Sequence, residues 1–172
     1  MESIDHYRNL AGHIIDLSGD FRLSNPADYD RWYGRTHPRP ELLKEFIYGI
    51  PELNRAAMPG AKLVTGAGCN ATATILALRP LYRRGLVDHA VVEVKAGSSE
   101  GGNAFSEASH HPERSGAVRS YKPTGHRHVA EMNQALGASN IHFSATSIEM
   151  VRGILATSHV FLTDDAVDER AV

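Results

Sequence analysis

The stretch VTGAGCNATATILALRP, Val64 to Pro80, decides how the chain is read. Its first residues continue a β-like run, "AKLVTG" (61–66), and the glycines at 66 and 68 let the backbone turn sharply. From Asn70 onward the pattern becomes helical, with Ile75, Leu76, Leu78, Leu81 and Tyr82 near helical spacing and Gly85 as the stop. "HAVVEVKAG" (89–97) then reads as a second strand, so the spacing predicts a β-α-β crossover with a parallel, right-handed pair. At the turn stands Cys69, the only cysteine in the chain. It has two readings. Free cysteine is among the most often buried residue types. A thiol heading a helix, however, feels the positive end of the macrodipole and unpaired N–H groups, which stabilise a thiolate. On that second reading the backbone N–H groups after Cys69, with the amide of Asn70, would hold an oxyanion.

Working outward, residues 3–10 read as the end of a helix and "HIIDLS" (13–18) as a buried strand. "NPADYDRWYG" (25–34) has Asn25 as N-cap, Pro26 at the first helical position and Gly34 as terminator. "RTHPRPELLKEF" and "PELNRAAMPG" are proline-punctuated helical pieces. Downstream, "AVRSYKP" is extended, and "HRHVAEMNQALG" (126–137) is a helix stopped by Gly137. "IHFSATSIEM" and "RGILATSHVFLT" are closing strands, and "TDDAVDERAV" opens a last helix. Two closing strands imply a sheet with helices to one side, an α+β layer.

The 172 residues are 42% apolar and 22% charged, enough for a real core in one domain or a little more. A net charge of −2 gives no global field toward nucleic acid or an anionic membrane. The polar start "MESIDHYRNLAG" has no apolar signal core, and no apolar run approaches the roughly 20 residues of a membrane span. One cysteine makes no internal disulfide, which fits a reducing compartment. The expectation is a soluble, cytoplasmic protein with no nucleic-acid or membrane partner.

"ASHHPERSGAVRSYKPTGHRH" (108–128) holds four of the ten histidines, with Arg114, Arg119, Lys122 and Arg127 against the single acid Glu113. A solvated basic surface is one reading. A zinc site from His110, His111, His126 and His128 is another, but no thiolate or carboxylate lies at a recognised ligand spacing, so no metal is expected. The third is a site for a multiply charged anion with one histidine as acid/base. Gly125 marks a turn into a helix, so His126 is expected at a helix start, where the neutral imidazole is favoured. The loop "KAGSSEGGNAFS" (95–106) can cradle a phosphate through its backbone N–H groups, with Ser99, Gly101 and Gly102 as candidates. No dinucleotide fingerprint occurs.

"DLSGDFRL", "YGIPELNR", "GAGCNATATILALRPL", "SHHPERSGAVRSYKPTGHRHVAEM" and "RGILAT" occur in that order. Together they resemble the N-acetyl-γ-glutamyl-phosphate reductases, and most nearly the branch that acts on a small amino-group carrier protein in lysine or arginine biosynthesis. The cysteine motif G-C-N-A-T-A is similar to that branch, and the resemblance covers nearly the whole chain. It implies the α+β (α/β) catalytic/dimerisation domain of a semialdehyde-dehydrogenase-like fold, a mixed sheet with helices packed on one side. Most of the NADP-binding Rossmann half is expected to be missing, with residues 1–20 its remnant and 21–172 a catalytic/dimerisation domain cut short at its end.

The same resemblance implies NADPH-dependent reduction of an acyl phosphate to the semialdehyde through a thioester on Cys69. The acyl phosphate is carrier-linked aminoadipyl or glutamyl phosphate, or N-acetyl-glutamyl phosphate. His126 handles the protons, with His128 as the other candidate. Asn70, Arg119, Lys122, His128 and Arg152 are the expected substrate contacts, and an acidic carrier protein and a second copy of the chain the expected partners. Two other readings stand beside it: a docking or oligomerisation module that does no chemistry, and a Cys-His hydrolase or acyltransferase.

Overall fold

A computed structural model describes residues 1, 3–102, 106, 110–164, 168 and 170. The chain divides into two compact units, Met1–Gly68 and Cys69–Val172. The first contains helix α1 (Ile4–Leu10), strand β1 (Ile14–Asp16), helix α2 (Ala27–Tyr33), strand β2 (Ile47–Gly49), the short helix α3 (Pro51–Asn54) and strand β3 (Leu63–Gly66). The order β1-β3-β2 is parallel throughout, with Ile14 opposite Leu63 and Gly49 opposite Gly66. A methyl group on Gly49 would overlap the Thr65 carbonyl oxygen, so only glycine fits this cross-strand position. Phe21 stacks on Phe46 at 4.1 Å, and these rings with Leu23, Tyr29, Leu42, Leu43 and Ile50 form the unit's core.

β1 is hydrogen-bonded to β3, so the sequence between them is tied into the same sheet as residues 14–16.

The second unit contains α4 (Cys69–Arg83), β4 (Val87–Ala96), α5 (His111–Arg114), β5 (Arg119–Lys122), α6 (His128–Leu136), β6 (Ile141–Ser147) and β7 (Ile154–Leu162). Its sheet runs β5-β6-β4-β7, with β4 and β6 parallel and the two outer strands antiparallel. This is the mixed sheet expected from the sequence. The parallel pair expected between β3 and β4 does not form. Both edges of β3 are taken by β1 and β2, and both edges of β4 by β6 and β7. The parallel partner of β4 is β6, reached by a long crossover that includes α6.

One face of the sheet is covered by α4 and α6. Ala90, Val92, Val94 and Ala96 alternate along β4 at 0% exposure, and the buried Ile141, Phe143 and Ala145 alternate along β6. Helix α4 buries Asn70, Ala71, Thr74, Ile75 and Leu78, a stripe at helical spacing. Each buried valine or isoleucine contributes about 1.5–3 kcal/mol. Helices α4 and α6 are followed by Gly85 and Gly137, both at positive φ.

The loop after β4 is fastened to the turn before β7. The amides of Gly97, Ser98 and Ser99 donate to the carbonyls of Gly153, Met150 and Val151 at 3.0, 2.8 and 2.9 Å. A Cβ on Gly97 would lie 2.9 Å from the Met150 oxygen, so the close approach needs glycine. The helix expected over 163–172 falls largely outside the described residues. Among the described residues, no helix is long and apolar enough to cross a membrane.

Candidate active site

The two candidate catalytic residues belong to the second unit. Cys69 is the first residue of α4 and is exposed. Asn70 follows it at 1% exposure, so the side chain expected to face a substrate is turned inward. Its Nδ2 lies 3.4 Å from the Tyr121 hydroxyl and 3.4 Å from His126 Nε2. The first turn of α4 thus places the thiol-bearing residue beside an amide that touches the candidate base.

His126 lies between β5 and α6, after Gly125 at φ 65°. The helix begins at His128, two residues later than the sequence pattern indicates. The reason is local: His126 Nδ1 accepts the His128 backbone N–H at 3.0 Å, so its side chain acts in the manner of a cap. The ring is half-buried against Phe143, with centroids 5.3 Å apart, and against His128 at 4.6 Å. Burial, then the charges of Arg127 and Lys122, push the His126 pKa down to about 4. At neutral pH the ring is therefore uncharged and able to accept a proton.

Behind this pair runs a second network. The Tyr121 hydroxyl donates to Glu100 Oε2 at 2.8 Å. Arg114 pairs with Glu100 Oε1 at 3.3 Å and donates to the Ala96 carbonyl at 3.3 Å. Burial, and then the Glu100 carboxylate, hold the Tyr121 pKa above its ordinary value, against the opposing hydrogen bond from Asn70. Arg114 is buried and paired, so it is not part of a solvated basic surface. Glu100 and Tyr121 escaped the sequence reading. The only signal for them was an acid in a glycine-rich loop and an aromatic residue in a basic run.

Among the remaining candidates, Arg119 and Lys122 are exposed on β5. Arg152 is exposed in the bend before β7, which starts at Ile154. His128 is buried, with Nε2 3.8 Å from Glu131 Oε1, and faces the protein rather than solvent. The phosphate cradle expected in the loop does not hold at Ser99. The amides of residues 97–99 are bound to residues 150–153, and the amide of Glu100 to the Gly97 carbonyl. Gly101 and Gly102 lie exposed at the loop's end. Residues 103–105 and 107–109 of these segments are outside the described residues. Among the described residues no three His, Cys, Asp or Glu side chains gather as a metal site. His111 Nδ1 instead lies 3.1 Å from the Ser98 hydroxyl.

The family model described as the semialdehyde dehydrogenase dimerisation domain matches residues 69–172. The chain belongs to the semialdehyde dehydrogenase dimerisation-domain family. A relative from Haloarcula marismortui is 52% identical over 164 residues, which covers 94% of this chain and 47% of that protein. A Saccharolobus solfataricus relative, 47% identical over 88% of this chain and 45% of its own length, is named LysW-L-2-aminoadipate/LysW-L-glutamate phosphate reductase. One from Deinococcus radiodurans, 48% identical over 91% of this chain and 46% of its own length, is named LysW-L-2-aminoadipate 6-phosphate reductase. These names agree with the carrier-linked branch that the motifs resemble. The chain spans about half the length of these curated relatives. Among solved structures, aspartate semialdehyde dehydrogenase II from Vibrio cholerae superposes with a TM-score of 0.64 at 13% identity. That match covers 95% of this chain and 52% of the other, and it shows the shared fold.

Proposed function

We propose that this chain carries the thiol chemistry of an acyl-phosphate reductase. The observation that supports this reading most directly is the exposed Cys69 at the head of α4, whose neighbour Asn70 touches a neutral, half-buried His126. The Cys69 sulfur attacks the acyl carbon, its proton passes to His126, and the bond from that carbon to the phosphate oxygen breaks. Phosphate departs with the electron pair and a thioester remains. The backbone N–H groups in the first turn of α4 face the developing oxyanion on this reading.

NADPH is the reductant that the family resemblance implies. The amides of residues 97–100 are occupied, so no phosphate contact is assigned to them. By the relatives' names, the substrate class is a glutamyl or aminoadipyl phosphate linked to LysW, in lysine or arginine biosynthesis. Arg119, Lys122 and Arg152 supply exposed cations for the phosphate and an acidic carrier, a role that acts mainly on the association rate. A cytoplasmic location fits a biosynthetic role.

Two copies of the chain pair, on this reading, through the uncovered face of the four-stranded sheet. Val91, Leu155 and Phe161 are 42%, 60% and 51% exposed there, and the family description names a dimerisation domain over the same residues. A two-fold axis makes such a face its own partner.

The test is alkylation of Cys69 across pH, joined to phosphate release from a small acyl phosphate without NADPH. We expect an apparent thiol pKa well below the free value of about 8.5, and release of one phosphate per thiol that Cys69→Ser abolishes. A folded chain with ordinary thiol reactivity and no release would reject the reductase reading and leave a docking or association module.

A further inference from the structure

We propose that Glu100 is a positioning residue: through the Tyr121 hydroxyl it fixes which end of the Asn70 amide faces His126. The inference rests on the reading of Cys69 and His126 as the working pair, and it assigns the control of that pair to a side chain that touches neither.

The chain of contacts has a direction. Arg114 can only donate, and it holds one oxygen of Glu100 at 3.3 Å. A carboxylate can only accept, so at 2.8 Å the Tyr121 hydroxyl hydrogen must point to the other oxygen. The phenol oxygen then has only lone pairs left, and these face Asn70. Asn70 must therefore present its Nδ2 end, which lies 3.4 Å away. The second hydrogen on Nδ2 is thereby aimed at His126 Nε2, also at 3.4 Å. The cost is visible at the other end of the amide: Asn70 Oδ1 is buried with no hydrogen-bond partner among the described residues. Such an orphan costs about 1–3 kcal/mol, so the orientation has to be enforced from outside Asn70.

His126 thus meets a donor at each nitrogen, the His128 amide at Nδ1 and the Asn70 amide at Nε2. A neutral ring accepts at only one of them; an imidazolium accepts at neither, loses that bond and sets an N–H against both donors. Charged and titratable groups come to the ring from several elements among the described residues. Cys69 lies on α4 with Asn70; Tyr121 and Lys122 come from β5; Arg127 and His128 precede and begin α6. The uncharged Phe143 comes from β6, Glu131 stands behind His128, and Glu100 stands behind Tyr121. Lys122 and Arg127 oppose protonation as well.

Glu100→Gln reverses the sequence of donors. Arg114 claims the carbonyl of the new amide, leaving its NH2 to donate to Tyr121. The phenol hydrogen then turns to Asn70, whose Oδ1 swings round to meet it and faces His126 Nε2. A proton on Nε2 becomes welcome. Loss of the Glu100 charge by itself would move His126 the opposite way, so the sign of the shift separates relay from simple electrostatics.

The experiment is an NMR pH titration of the whole chain carrying ring-labelled histidine, with the His126 signal assigned by His126→Asn. The parent midpoint is expected near 4. In Glu100→Gln it should rise by at least one unit, about a tenfold gain in proton affinity. An unchanged or lowered midpoint overturns the proposal. Tyr121→Phe, which cuts the same link without touching Arg114 or Glu100, should also raise it. It decides the matter if the glutamine variant does not fold, and an overlay with the parent again overturns the proposal. Cys69 alkylation is read on the same samples. A risen His126 midpoint beside an ordinary thiol supports the relay while rejecting the Cys69–His126 pair.

Discussion

The two faces of the four-stranded sheet are built from alternate residues of the same strands and meet different fates. Val92 and Val94 lie under α4 and α6 at 0% exposure, while Val91 between Ala90 and Val92 is 42% exposed. On the uncovered face, His89 stacks on Phe161 at 4.2 Å, and the rows His159–Val91–His142 and Thr157–Glu93–Ser144 cross three strands. The covered face is mainly apolar, with Ser147 and Ser158 as its hydroxyls, and supports the helix that carries Cys69. The uncovered face mixes aromatic, imidazole and charged groups, a composition suited to a contact that forms between molecules. On the proposed pairing, one strand, β4, serves stability on one side and association on the other, with the register separating the two.

The sharpest way to break this comparison is to place one charge on each side. Val94→Asp buries an unpaired carboxylate and should cost about 4 kcal/mol or more, seen as loss of the cooperative thermal transition. Val91→Asp should cost less than about 1 kcal/mol in the same measurement. Equal effects would mean that both faces are core. Next in size, Phe161→Asp should leave the fold intact and weaken dimerisation by at least about 10-fold, roughly 1.4 kcal/mol, in sedimentation equilibrium. An unaltered dimer would move the interface elsewhere.

A smaller effect belongs to the covered side. His126 titrates near 4 when folded against an ordinary 6.5, so between those values the unfolded chain holds a proton that the folded chain refuses. Stability should therefore be intact above about pH 6.5 and fall as pH drops toward 4, flattening below that. The difference in urea midpoint between the parent and His126→Asn, followed across this window, isolates the contribution. Least of all, Arg152→Ala should change stability by no more than about 0.5 kcal/mol, since its side chain is exposed in a bend.

Much of this was legible in the sequence. The alternation in "HAVVEVKA" is the covered face of β4, and Gly85 and Gly137 mark the ends of α4 and α6 by the positive φ that only they adopt cheaply. The motifs and the resemblance singled out Cys69 and His126, and the structure sets Asn70, the residue after Cys69, against His126. The sheet that β3 joins was not legible, because a strand–helix–strand spacing is the same whether the two strands share a sheet or belong to different ones. Nor was the fate of Arg114: it reads as one cation among several, and its burial depends on Glu100, which belongs to a different loop. Asn70 looked like a substrate contact because it follows the thiol, but the second residue of α4 points into the protein.

The fastening of Gly97–Ser99 to Met150–Gly153 has a consequence for synthesis. The loop that carries Glu100 is anchored by carbonyls that precede β7, far along the chain. On a growing polypeptide Cys69 leaves the ribosome well before those anchors exist. The thiol is therefore delivered early and its hydrogen-bond relay late, and the order of translation alone postpones assembly of the site until Gly153 has emerged.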